Sequence, residues 1–140
     1  MLRKAWRRLT AHLRQQGELR FSVHRHPMYQ SFWHPTAMPG HPPGMQIQVY
    51  LEACNMGAAA RWIMAAEIAG MTAKETVIGV RDAKTRKFAR DNPLPSRLIT
   101  TVCLHFLIEG LSHSTDEPFP TTLILTDHVG VQHVIKVTMH

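Results

Sequence analysis

The sequence predicts an all-β sandwich preceded by a basic amphipathic helix. Three observations predict it. Apolar and β-branched residues alternate with polar ones at period two over several stretches. Clusters of Gly, Pro, Asn and Asp separate those stretches. The last twenty residues read as a hairpin: Leu123-Ile124-Leu125 and Val131 to Val137 flank the break Asp127-His128-Val129-Gly130. Glycine supplies the positive φ that such a turn needs.

The chain has 140 residues, a length that predicts one domain with an adequate core. Its 44% apolar content argues against wholesale disorder. The net charge of +6 is unevenly placed. Residues 1–20 hold six bases (Arg3, Lys4, Arg7, Arg8, Arg14, Arg20) against Glu18 alone. The rest holds ten bases and nine acids, so the basic character belongs to an arm. Nucleic-acid binding by the whole protein is a poor inference from it. Cys54 and Cys103 cannot build a disulfide framework; free thiols are at least as expected as one bridge. No run approaches 18 apolar residues, which argues against a membrane-spanning helix. Arg7, Arg8 and Arg14 interrupt any secretory h-region, so the cytoplasm is the default compartment.

Residues 2–16 read as a helix with a Leu2, Trp6, Leu9, Leu13 stripe and Gly17 as its stop. The organisation is therefore a helix within 1–17 and a sandwich over 18–140. Leu19 to His24 alternates as a half-buried strand. Segment 26–44 carries Pro27, Pro35, Pro39, Pro42 and Pro43 and predicts an irregular loop, because proline lacks the donor a ladder needs. Met45 to Cys54 is a strong strand, with Ile47, Val49, Leu51 and Ala53 on one face. Segment 58–70 is alanine-rich, and Thr72-Ala73-Lys74-Glu75 resembles a capping box. Those features leave an α+β alternative with helices in 58–90. Period two in Trp62, Met64, Ala66 and Ile68, and the β-branched Val77, Ile78 and Val80 around Gly79, favour strands instead. Residues 81–97 read as a polar, basic loop. Ser96 to Glu109 is the longest strand, and 110–120 is a polar loop. Seven strands result, near 19–24, 45–54, 61–68, 75–81, 97–108, 121–126 and 131–139.

Seven short strands in this order resemble immunoglobulin-like and fibronectin-type-III-like sandwiches. Trp62 lies on the third strand, where immunoglobulin domains carry a core tryptophan, and Cys54 lies on the second. Cys103 lies on the fifth strand rather than the sixth, and no Tyr follows Tyr50 to form a tyrosine corner. The resemblance is thus to a generic sandwich, similar to small bacterial proteins in which a basic helix precedes one.

Candidate sites follow from residue types. Tyr29, Phe32, Trp33 and His34 place amphipathic aromatics in the 26–44 loop, which is the usual chemistry of a contact surface. Trp6, Leu9 and Leu13 offer a second apolar contact, to a protein partner or to a second copy. Arg3, Lys4, Arg7, Arg8 and Arg14 could face a membrane surface or nucleic acid. His24, His26, His34 and His41 are a minor candidate set for Cu or Zn, with no pair spaced for tetrahedral geometry. The chain has no nucleophile elbow, Walker loop or dinucleotide fingerprint. Cys103 and His105 share a strand face but should point in parallel, ~7 Å apart. Asp127 is expected to cap its own turn. The expectation is a non-catalytic interaction module.

Overall fold

A computed structural model describes residues 18–37, 40, 43–110 and 118–140. The expected N-terminal helix, with Trp6, Leu9, Leu13 and its basic residues, lies outside the described residues, as does His41.

Among the described residues, alternation in the sequence becomes nine strands: β1 (Leu19–Val23), β2 (Phe32–Thr36), β3 (Gly44–Asn55), β4 (Ile63–Ile68), β5 (Ala73–Arg81), β6 (Phe88–Ala89), β7 (Leu98–Ile108), β8 (Phe119–Asp127) and β9 (Gln132–Met139). They form two antiparallel sheets. The larger runs β1-β3-β7-β5-β6, with β2 also paired to β3; the smaller runs β4-β8-β9. Segments 58–70 and 72–81 hold strands β4 and β5 and no helix, so the helical alternative is not the fold. Among the described residues, no helix is long and apolar enough to cross a membrane.

The sheets bury their facing sides. Met45, Ile47, Val49, Leu51 and Ala53 of β3 pack with Val102, Leu104, Phe106 and Ile108 of β7. Across the layer lie Ile63 and Ile68, Leu123 and Leu125, and Ile135, Val137 and Met139. Period two in the sequence is therefore the inside-outside pattern of the sandwich.

Two departures from the sequence reading have physical causes. Residues 26–44 are not wholly irregular. They hold a 3-10 turn (Pro27–Tyr29) and strand β2, which includes Pro35 opposite Met45. Proline is tolerated there because β2 is an edge strand, where one side needs no donor. The second departure is the core tryptophan. Trp33, expected at a contact surface, turns inward at 7% exposure and packs edge-on against Phe119 at 5.5 Å. Trp62 is only half-buried. The register slips between Ile63 and Ala65, so a bulge turns both Ile63 and Ile68 into the core and leaves Met64 exposed.

The interior also holds charge. Arg61, just before β4, and His133 of β9 converge on Asp127 at the end of β8, with all three buried. His133 Nε2 donates to Asp127 Oδ2 at 2.8 Å, and the Arg61 guanidinium donates to the same oxygen. Asp127 Oδ1 accepts from Val129 N at 3.1 Å and Val131 N at 3.0 Å. So Asp127 does cap its turn, and it also joins two strands. Burial pushes its carboxyl up. The His133 hydrogen bond, the Val131 amide and the Arg61 charge outweigh that and hold it below the ordinary value.

Candidate binding face

Residues that alternate outward on the larger sheet meet across its strands. Register places Phe32 beside Gln48, Gln48 beside His105, and His105 beside Val77. The next row is Tyr50, Cys103 and Gly79. An outer sheet face is ordinarily charged and solvated; this one is aromatic and amide-lined.

One wall comes from the edge. β1 and β2 pair with opposite ends of β3, and the chain bulges outward between them at residues 24–31. Tyr50 sits at the gap. Its carbonyl accepts from His24 N at 3.2 Å, and its N–H donates to Ser31 Oγ at 3.1 Å. The bulge is organised by histidines. His26 Nδ1 accepts from Met28 N at 3.1 Å and opens the 3-10 turn; His24 Nδ1 accepts from His26 N at 3.1 Å. Because His24 Nδ1 accepts, its ring proton is on Nε2, which donates to Thr101 Oγ1 at 3.0 Å. Burial lowers the His24 pKa, against the pull of Glu52, and keeps this ring neutral. Tyr29 then lies against Tyr50 at 5.2 Å and against His24 at 4.7 Å.

The opposite wall is the β5–β6 hairpin. Phe88 pairs with Arg81 and covers Gly79. A β-carbon at Gly79 would lie 3.2 Å from Phe88 Cβ, so glycine lets the ring close onto the strand. Arg90 fixes the hairpin by donating to Met64 O at 2.6 Å. Between the walls runs a groove of ≈ 560 Å³ floored by Gln48, Tyr50, Cys103 and His105.

The floor is hydrogen-bonding but uncharged at Tyr50 and Cys103. Gln48 Nε2 donates to Tyr50 OH and, at 3.6 Å, to Cys103 Sγ. Burial raises the Cys103 thiol and, with the nearby thiol, the Tyr50 phenol. Cys103 is therefore a thiol rather than an activated thiolate. Cys103 and His105 share a strand face, as the sequence implied, and Thr101 joins them on it. Both thiols are free; Cys54 is four residues beyond the Tyr50–Cys103 pair on β3, too far for a bridge.

Of the aromatic loop candidates, the structure brings Tyr29, Phe32 and His34 to this side. Phe32 and His34 stack at 6.1 Å, and Phe32 remains 38% exposed. Trp33 belongs to the core. Of the candidate metal set, His24 and His26 spend their Nδ1 atoms on backbone amides, and His34 Nδ1 lies 3.2 Å from Pro35 O. Among the described residues, no three His, Cys, Asp or Glu side chains could share a metal ion. Gln48, Tyr50, Val77 and Gly79 were not singled out from the sequence as a site, and Phe88 stood there only as a residue of the basic 81–97 loop. Their signal was outward alternation on three strands, which names a face only once register is known. The chain matches no protein-family model, and no curated protein aligns with it.

Proposed function

We propose that this chain is a non-catalytic interaction module of immunoglobulin-like architecture that binds a protein partner through the outer face of its larger sheet. The strand order supports the architectural part. Setting aside the short β2 and β6, β1-β3-β7-β5 over β4-β8-β9 has the order of the constant-type sandwich. One observation carries the functional part. A groove of ≈ 560 Å³, walled by Tyr29 and Phe88, opens where a solvated sheet would carry charge. Aromatic walls around satisfied polar groups are the composition of contact surfaces. The expected apolar stripe of residues 2–16 is proposed to extend the contact.

Site-resolved photo-crosslinking tests this. A benzoylphenylalanine in place of Phe32 or Phe88 should give a discrete adduct in cells that express the protein. The same probe at Val134, on the outer face of the smaller sheet, should not. Equal adducts from both faces, or none from Phe32 and Phe88, would refute the assignment.

A further inference from the structure

The interaction-module reading leaves the partner's chemistry open, and a second feature of the same face narrows it. Beside the apolar groove lies a cleft of ≈ 310 Å³ whose lining includes Arg81, Asp82, Arg86, Ile99, Thr100 and Thr101. The two spaces share a border: Arg81 pairs with Phe88, and Thr101 precedes Cys103 by two residues on the same strand face. The hairpin there carries Arg81, Lys84, Arg86 and Lys87. None of these four forms an ion pair among the described residues. Asp82 also lines the cleft, one acid beside the hairpin's four bases. Asp82 accepts from Lys84 N and Thr85 N, both at 2.8 Å, and Glu52 pairs with Arg25 at 3.2 Å. The face therefore presents an apolar groove and, beside it, a cleft where bases outnumber acids; the residues that border the two, Cys103 and Thr101, lie one strand repeat, ~7 Å, apart.

We infer that the partner supplies an extended, acidic peptide segment whose aromatic or large apolar side chain fills the groove while a carboxylate two residues away enters the Arg81–Arg86 cleft. In an extended peptide, side chains at i and i+2 point the same way ~7 Å apart, which matches the spacing of groove and cleft. Charge selects the sign of the partner. A lysine-rich segment, including the chain's own basic N-terminus, would be repelled by the hairpin. An uncharged apolar segment would leave the arginines unpaired.

The test is a nuclear magnetic resonance titration of the full chain with acetyl-Glu-Ser-Trp-Ser-Glu-amide. Saturable shifts are expected at Val77, Phe88, Thr101 and Cys103. The peptide with Lys for Glu should bind at least about tenfold more weakly, and so should the one with Ala for Trp. The double variant Arg86→Glu, Lys87→Glu should lose or reverse the preference for the acidic peptide while keeping a native spectrum. Phe88→Ser, on a two-residue strand, is a second variant that should weaken all the peptides. Equal affinity for the Glu and Lys peptides overturns the inference, as do shifts confined to the smaller sheet or no saturation at millimolar peptide. Peptide-independent, concentration-dependent shifts on this face would also overturn it, by naming a second copy as the occupant. Crosslinks from Phe32 and Phe88 that survive without charge preference would sink only the acidic chemistry. Their absence as well would sink the module reading.

Discussion

Two polar clusters among the described residues serve opposite ends. Between the sheets, Arg61 and His133 are buried against Asp127, whose other oxygen takes the turn amides. Outside the larger sheet, Gln48, Tyr50, Cys103 and His24 are partly covered and hydrogen-bonded, yet border open space. A buried charge network holds strands together and offers nothing to a ligand. A half-covered neutral face keeps its geometry without a ligand and still has surface to lose on binding.

The sharpest way to break that contrast is at Asp127. Asp127→Ala should cost about 3–5 kcal/mol in urea unfolding, because it leaves Arg61 and His133 buried without their acceptor. A loss below about 1 kcal/mol would place the network among solvated pairs. Strand β2 gives a second contrast between adjacent aromatics. Trp33→Ala should cost about 3–5 kcal/mol through the cavity it leaves. Phe32→Ala, at an exposed edge, should cost under about 1 kcal/mol. Similar losses at both would erase the inward-outward distinction.

Acid should separate the clusters by pH. The His24 pKa is lowered in the fold, so below the ordinary 6.5 the unfolded chain binds a proton that the native ring resists. Stability should therefore fall as pH drops from about that value, and His24→Gln should flatten this slope. The Asp127 pKa is also lowered, from 3.8, so its contribution is intact above that value. It should disappear only as pH falls further, through the native pKa. Denaturant midpoints across pH 3 to 8 would check both steps. The smallest effect sharpens the comparison from the other side. Phe88→Ser and Val77→Thr should each cost no more than about 1 kcal/mol, since the side chains keep 42% and 50% of their surface exposed. They should nevertheless remove crosslinking or peptide binding.

Much of the scaffold was legible locally. The seven expected strands correspond to β1, β3, β4, β5, β7, β8 and β9 within a few residues at their ends. Strand β2 was hidden by its prolines, which exclude a central strand but not an edge. Trp62 was misread because period two cannot see the bulge that shifts Ile63 inward. The binding face was half legible. Tyr29, Phe32 and His34 stood out by residue type, whereas Gln48, Tyr50, Val77 and Phe88 look like ordinary strand residues until their strands are paired.

By itself, the sequence determined where the chain extends and which sides of β3, β7 and β9 are apolar, because alternation is a property of neighbours two residues apart. Tertiary structure alone decided which tryptophan enters the core, that Arg61 meets an acid sixty-six residues away, and that aromatics from three strands and a bulge enclose one groove. Those outcomes depend on strand register and sheet stacking. Both are set by packing free energy summed over the whole domain, so no short window of residues contains them.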